Sequence, residues 1–474
     1  MNPQDQTSAK AAVSFALLNL PKDLLAVIGE LGFSEMTEVQ ARAVPALLAG
    51  RDVIAQAKTG SGKTLAYSLP LLAKIRLDGR RLQAVVLCPT RELCAQVARE
   101  IRKVGRRHPG LQVLPLAGGQ PLRSQYGALE KGVHIVVGTP GRILDHLRRG
   151  TLNLQDLTYI VLDEADRMLD MGFQEDMETI FAAAPGKRQT VLFSATFPEA
   201  MTAISGALQQ NPLRITVAAS SEAAVIRQLV YPAELGDKPA VLRRVLAEHA
   251  PKSALVFCNF KAGAAELAEA LNLDGISADA LHGDLEQHER DRVLAKFRNQ
   301  SIRVLVATDV AARGIDIADL DLVCNIDLPA KPETYVHRIG RTGRAGKAGL
   351  AVSLITSRDD AKVAAIESLT NCRVEYGHFS DRSAPHKSQA VSLATAAMVT
   401  LYISGGRKDK VRPGDILGAL TGEAGGLAGA DIGKIEIHDH FAYVAVRAHL
   451  ANAAVDSLRE GRIKGRKFQV ERVR

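Results

Sequence analysis

The sequence contains no tryptophan, and its aromatic content is confined to eight tyrosines and twelve phenylalanines in 474 residues. Any stacking on bases must therefore rest on a few identifiable rings. Cysteine is also scarce. The five residues Cys88, Cys94, Cys258, Cys324 and Cys372 are odd in number and lack metal-ligand spacing, which argues against a disulfide framework or a cysteine-based zinc site. Cys88, Cys258 and Cys324 fall in apolar runs and read as buried, inert thiols. No stretch approaches the roughly 18 apolar residues of a membrane span, so no membrane partner is expected. Met1–Lys10 is polar and has no charged-then-apolar secretory pattern, so a cytoplasmic location is expected.

What the chain does have is length and a mild excess of positive charge. Its 474 residues exceed what one core can organise, so two or three domains are expected. The net charge of +8 suits a polyanionic partner. About half of that excess lies in Val399–Arg474, where thirteen Lys and Arg face nine Asp and Glu.

The clearest chemical signal is Ala57-Lys58-Thr59-Gly60-Ser61-Gly62-Lys63-Thr64. An apolar run, Val53-Ile54-Ala55, precedes it, and a helical pattern from Leu65 to Ile75 follows. A glycine-bearing loop between strand and helix directs backbone N–H groups at phosphate oxygens, and the helix N-terminus adds partial positive charge. Lys63 is placed to reach the β- and γ-phosphates, and the Thr64 hydroxyl to hold Mg²⁺. Ala57 stands where this pattern usually has its first glycine. The second signal is Asp163-Glu164 at the end of Ile160-Val161-Leu162, with roles as metal ligand and as base for the attacking water. A third is His337-Arg338-Ile339-Gly340-Arg341-Thr342-Gly343-Arg344. Arg341 and Arg344 are three apart and would share one face of a helix, suiting them to γ-phosphate charge. On its own this cluster also fits a patch for nucleic-acid phosphates or a solvated face.

Apolar strand-like runs alternate with helical stretches up to about residue 218, and again from about 222 to 380. Such alternation predicts parallel sheets covered on both faces, with ligands beyond the C-terminal strand ends. Residues 1–12 read as a loose tail and 381–396 as a polar linker. The segment from 397 to 474 reads as a small α+β module.

The ordered set of motifs resembles the DEAD-box RNA helicases from residue 15 to about 360. The set comprises Phe15 with Gly32-Phe33 and Gln40, Ala57–Thr64, Pro89–Leu93, Gly118-Gly119, Thr139–Arg142, Asp163–Asp166, Ser194–Thr196, Leu255–Phe260, Gln287 with Arg290, Ala307–Asp316 and His337–Arg344. The resemblance implies an α/β architecture of two tandem RecA-like P-loop domains, over 13–218 and 219–380. It further implies an ATP hydrolase that binds RNA and opens short duplexes, with ATP and Mg²⁺ as cofactors, no DNA partner and a monomeric state. An ATP-gated RNA clamp or assembly platform is the alternative that shares the same motifs.

By the same resemblance, Phe15 and Gln40 recognise adenine, and Gly314 and Asp316 meet the nucleotide from the second domain. Lys63, Thr64 and Asp163 hold phosphates and Mg²⁺, Glu164 is the general base, and Arg341 and Arg344 complete the site. Ser194, Thr196, Asp166 and His337 couple hydrolysis to domain closure. RNA contacts fall to Pro89, Thr90, Arg91, Gly119, Thr139, Gly141 and Arg142 on one domain. Arg290, Thr308, Asp309 and Arg313 are their counterparts on the other. Such contacts go mostly to phosphates and 2′-hydroxyls, which favours RNA without reading sequence. Met36 replaces a proline usual in the family.

In the last segment, Leu401-Tyr402-Ile403 and Phe441-Ala442-Tyr443-Val444 look like the central strands of an RNA-recognition motif, without the usual Lys/Arg-Gly before the second. Pro413–Leu420, Asp431–Ile435 and Gly461–Gly465 are similar to the DbpA-type branch of the family. That similarity implies tethering to 23S rRNA, at a hairpin near the peptidyl-transferase centre, during 50S subunit assembly. Two surfaces compete for the RNA: the sheet face bearing Tyr402, and the basic residues Arg407, Lys408, Lys410, Arg462, Lys464, Arg466 and Lys467.

Overall fold

The computed structural model describes residues 13–473 apart from 58–59, 120–121, 198, 218–225, 313–314, 316, 318, 344–347, 380–395 and 423–425. The expected tail over 1–12 and nearly all of the expected linker lie outside the described residues. Two compact units divide near residue 221.

The first unit is built on a seven-stranded, all-parallel sheet. Its strands stand in the order Val113–Leu116, Ile135–Gly138, Ala84–Leu87, Tyr159–Asp163, Gln189–Ser194, Val53–Gln56, Leu213–Thr216. The apolar runs explain why. In a strand, successive side chains leave opposite faces, so an unbroken apolar run belongs in a sheet covered on both sides. Val53, Ala55, Val86, Val137, Val161 and Phe193 enter one core cluster. Their chain neighbours Ile54, Val85, Leu87, Val136, Ile160 and Leu192 enter the cluster on the other face.

The second unit repeats the plan. Its parallel sheet runs in the order Ala278–Leu281, Val304–Ala307, Ala254–Phe257, Leu322–Asn325, Gly349–Ile355, Ile226–Pro232, Glu375–Tyr376. The same unit includes the C-terminal module, a four-stranded antiparallel sheet in the order Ile432–Ile437, Ala442–Arg447, Met398–Ile403, Val470–Arg472. Helices Pro413–Thr421 and Ala451–Glu460 cover one face of it, around Leu401, Ile403, Val444 and Val446.

One expectation is corrected here. Arg341 does not lie on a helix, because Pro332–Ile339 ends at Gly340 and Arg341 lies in the turn beyond it; Arg344 is outside the described residues. Glycine terminates helices readily because its backbone gains little from remaining in one.

Candidate nucleotide and RNA sites

Strand order sorts the motif residues of the first unit into two neighbouring groups. The strands ending at Asp163, Ser194 and Gln56 are adjacent, and the loops beyond them carry the nucleotide motifs. The strands ending at Leu116, Gly138 and Leu87 are adjacent on the other half of the sheet, and beyond them lie the residues assigned to RNA. One sheet edge thus presents both candidate sites side by side.

The phosphate loop leads into the helix Lys63–Lys74. Gly60 and Gly62 have φ of +83° and +88°, a region that L side chains enter only at a cost. At Gly62 a Cβ would also meet Gln40 Nε2 at 2.3 Å. Ala57, by contrast, sits outside the left-handed region, which is why alanine serves in place of glycine there. Its N–H donates to the Ser194 carbonyl at 2.9 Å, and its own carbonyl accepts from Lys63 Nζ at 3.1 Å. Gln40 closes a capping box with Thr37, and its Nε2 donates to the Gly62 carbonyl at 3.1 Å. The amide assigned to adenine is here tied to the phosphate loop. Phe15, given the same assignment, is 3% exposed and sits in the core. Met36 pairs with Val13 in a short antiparallel bridge. Lys58 and Thr59 lie outside the described residues.

Asp163 is buried, and burial pushes its carboxyl up to about 6 against the pull of Lys63. Tyr67, fully buried on the phosphate-loop helix, donates its hydroxyl to Asp163 Oδ2 at 2.9 Å. No motif signals this tyrosine; only the fold brings it to the aspartate. Its hydrogen bond favours the ionised carboxylate. Metal binding needs that form, so nucleotide capture with Mg²⁺ should weaken as pH falls through about 6. Tyr67→Phe should move this limb to higher pH by about one unit, the value of one charged hydrogen bond. Binding of a fluorescent ATP analogue from pH 5 to 8 checks this.

Glu164 follows in the left-handed region, at φ 55°. That turn brings its carboxylate within 3.0 Å of Arg167 Nη1, near enough for charge attraction but off hydrogen-bond geometry. Glu164 Oε2 therefore remains buried without a hydrogen-bond partner, as does Ser61 Oγ on the phosphate loop. Two orphaned polar atoms on this edge are what a site completed by a phosphate ligand and its water requires. The hydroxyl of Thr64 and the carboxylate of Asp163 are hard oxygen donors of the kind Mg²⁺ takes.

Asp166 joins the next strand end. Its Oδ2 accepts from the Thr196 N–H at 2.9 Å and from the Thr196 hydroxyl at 2.8 Å, and its own N–H donates to Ser194 Oγ at 3.2 Å. Three of the four residues to which the resemblance assigns coupling are thus in one hydrogen-bonded group. His337, the fourth, lies on the helix Pro332–Ile339 of the other unit.

On the RNA half, Thr90 caps the helix Arg91–Val104, and the Arg91 guanidinium lies against Gly118, where a Cβ would approach it to 3.0 Å. Gly119 takes φ +80°. Thr139 and Gly141 open the helix Pro140–Arg148. Arg142 Nη1 donates to Gln125 Oε1 at 2.8 Å, and the same oxygen lies 3.0 Å from His146 Nε2. Gln125 and His146 are buried polar residues that aim Arg142, and nothing in their sequence context marks them.

In the second unit, Arg290 donates to the Ala311 carbonyl and Thr308 precedes the short helix Asp309–Ala312. Asp309 gives both carboxylate oxygens to Arg338, at 2.7 Å each. Arg341 is buried. Arg313, Gly314, Asp316 and Arg344 lie outside the described residues.

The C-terminal sheet separates its two competing surfaces. Tyr402 and Tyr443 are cross-strand partners on the face opposite the module's helices, and Phe441 stacks on Tyr402 at 5.6 Å. That face is occupied. Thr400, two residues from Tyr402 on the same face, is bound by Asn299 at 3.2 Å and by Ser301 at 2.6 Å. Arg298 approaches Glu436 at 3.7 Å, and Arg292 approaches Glu471 at 3.8 Å. All four partners belong to the helix Gln287–Arg298 and the turn after it, so Tyr443 is buried and Tyr402 half-buried.

The basic residues take the opposite course: Arg407, Lys408, Lys410, Arg462, Lys464, Arg466 and Lys467 lie at the surface, outside the module's core. Lys464 Nζ donates to the Lys410 carbonyl at 2.9 Å, which joins two segments over fifty residues apart into one patch. The second segment is a tight hairpin closed by reciprocal bonds between Ile463 and Arg466, with Lys464 and Gly465 at φ 51° and 76°. Two successive positive φ values are what a type I′ turn needs.

These two α/β units, one with a phosphate loop beside a carboxylate pair, define a P-loop nucleotide hydrolase. Residues 37–204 match the DEAD/DEAH box helicase family, 237–346 the helicase conserved C-terminal domain and 400–472 the DbpA RNA binding domain. The chain is 48% identical over 458 residues to the ATP-dependent RNA helicase DbpA of Escherichia coli, covering 96% of this chain and 99% of that one. It is 47% identical over 363 residues to the DEAD-box helicase CshA of Bacillus cereus, covering 76% and 69%. Among solved structures, Saccharomyces cerevisiae Dbp5 bound to RNA and ADP BeF3 matches at TM-score 0.70 and 33% identity, covering 81% of this chain and all of that one. The chain belongs to the DEAD-box ATP-dependent RNA helicases and carries a DbpA-type RNA-binding domain. The sequence-based expectations of family, fold class and enzymatic class are thereby met. Among the described residues, no helix is long and apolar enough to cross a membrane.

Proposed function

We propose that this helicase opens short RNA duplexes in precursors of the large ribosomal subunit, held to 23S rRNA by the basic edge of its C-terminal module. The observation that carries this reading is the joining of Arg407–Lys410 to Arg462–Lys467 in one surface patch while the helicase core covers the sheet face. A surface of lysines and arginines grips RNA phosphates, and its place on the module separates tethering from unwinding. The likeness to the E. coli RNA helicase along nearly the whole chain, its RNA-binding domain included, supports RNA as the substrate.

In the core, Lys63 and the loop N–H groups bind the phosphates of ATP. Thr64 and Asp163 would hold Mg²⁺, which would supply positive charge to the phosphates. Glu164, oriented by Arg167, takes the proton of the attacking water. Arg341 and Arg344 supply charge to the γ-phosphate, and Gly314 and Asp316, assigned by the family resemblance, also meet the nucleotide. Pro89, Thr90, Arg91, Gly119, Thr139, Gly141 and Arg142 hold one RNA strand, with Arg290, Thr308, Asp309 and Arg313 opposite. Asp166, Ser194, Thr196 and His337 link the two events.

The test is ATPase rate with a 23S fragment spanning the peptidyl-transferase hairpins, an unrelated RNA of equal length, and matching DNA. Selective stimulation by the ribosomal fragment is expected. Replacing Arg462, Lys464, Arg466 and Lys467 with Gln should abolish that selectivity and leave stimulation by generic RNA intact. The slope of log affinity against log salt should fall by about 2–3, at roughly 0.7 for each phosphate no longer neutralised. Selectivity that survives in this variant would remove the patch from the proposal, and long-lived RNA retention without duplex release would favour the clamp.

A further inference from the structure

The first unit has a cavity of about 850 Å³ at the edge of its sheet opposite the phosphate loop. Tyr159 and Gln189, the first residues of their strands, line it. A five-residue strand spans about 17 Å, so this cavity is separate from the site of Lys63 and Asp163 at the far strand ends.

Its wall carries Lys74, Arg76, Arg81, Lys187 and Arg188 against two carboxylates, Asp78 and Asp156. Arg81 approaches Asp156 at 3.8 Å. Among the described residues, the other four cations have no carboxylate within ion-pair distance. Lys74 donates instead to two neutral oxygens, the Leu47 carbonyl at 2.6 Å and Gln189 Oε1 at 2.7 Å. Arg188 donates through Nη1 to the Pro185 carbonyl at 2.6 Å and lies over the Phe181 ring. Its Nε is buried with no partner. The Tyr159 hydroxyl is likewise buried with no partner, on a residue 4% exposed.

Gathering like charges around a concavity is unfavourable, and leaving buried donors unpaired adds to the penalty. A bound anion reverses both effects. Phosphate groups suit guanidinium donors, and the volume lies within the range of small-molecule sites. The two rim carboxylates and the position away from the RNA residues disfavour a continuous RNA backbone. We propose that this cavity is a second anion site, distinct from the phosphate loop, for a small molecule bearing adjacent phosphate groups. Such a molecule is either a nucleoside polyphosphate or a short inorganic polyphosphate.

The experiment is calorimetric titration of the full-length protein, its phosphate loop saturated with a non-hydrolysable ATP analogue. Tripolyphosphate is one titrant and GTP the other. One additional equivalent should bind. Lys187→Gln combined with Arg188→Gln should weaken it about tenfold or more, since two charged hydrogen bonds are lost, while RNA-stimulated ATPase stays unchanged. Because Arg188 also holds Pro185 and Phe181, Arg76→Gln with Arg81→Gln serves as the second variant and should weaken binding likewise. Tighter binding of GTP identifies a nucleotide ligand, and equal affinity identifies the phosphate chain alone. Absence of an additional equivalent, affinity unchanged in both variants, or crosslinking of an RNA oligomer at Lys187 without tripolyphosphate binding would overturn the proposal.

Discussion

Glu164→Gln should slow ATP hydrolysis by about 10²- to 10⁴-fold, the range a positioned general base supplies, while ATP and RNA still bind. The substitution is nearly isosteric, so Arg167 loses an ionic partner at 3.0 Å without a change of shape at the strand end. The left-handed turn at Glu164 is unaffected, because the backbone conformation at φ 55° tolerates glutamine as well as glutamate. What disappears is the carboxylate placed to take a proton from water. The check is single-turnover hydrolysis beside equilibrium binding of ATP and RNA. A variant that hydrolyses ATP at the wild-type rate would remove Glu164 from the base role. Equal loss of ATP binding and turnover would instead mark Glu164 as structural, acting through Arg167 and the Asp163 strand end.

Much of this site was legible in the sequence because chemistry and chain geometry coincide there. Val53-Ile54-Ala55 is apolar on both faces, so it had to be an interior parallel strand, and the glycines after it had to turn. The parts that were not legible depend on contacts distant in sequence. Ala278-Asp279-Ala280-Leu281 has no β-branched residue, yet it is a strand because Val304–Ala307 offers it a ladder. Tyr67 looks like one more apolar residue of an amphipathic helix until Asp163, 96 residues away, meets its hydroxyl. The docked face of the C-terminal sheet follows the same logic. The strand pattern alone leaves the face bearing Tyr402 as one of two competing RNA surfaces. The helix Gln287–Arg298, more than a hundred residues earlier, covers that face.

Arg338 was visible only as one basic residue among several, and the sequence directed attention to Arg341 and Arg344 instead. In the folded chain it is 1% exposed and makes five hydrogen bonds. Two go to Asp309, and the others go to Asn325 Oδ1 at 3.0 Å, the Asp327 carbonyl at 2.6 Å and Asn259 Oδ1 at 2.9 Å. Its partners lie at or just beyond the ends of three adjacent strands, Val304–Ala307, Ala254–Phe257 and Leu322–Asn325. One guanidinium therefore fixes the strand-end surface that also carries Thr308 and Asp309. Arg338→Leu keeps much of the apolar stem but leaves the Asp309 carboxylate and two amide oxygens without their donor. Removing one member of a buried pair costs about 3–5 kcal/mol, so the second unit should unfold at lower denaturant while the first holds its midpoint. Arg338→Lys keeps the charge without the fork and should fall between. Adding Asp309→Asn to Arg338→Leu should recover part of the loss, because the stranded charge is gone. A variant that loses RNA-stimulated ATPase at undiminished stability would show that Arg338 acts on ligand directly; loss of both together, with partial rescue of stability by Asp309→Asn, is the result the geometry requires.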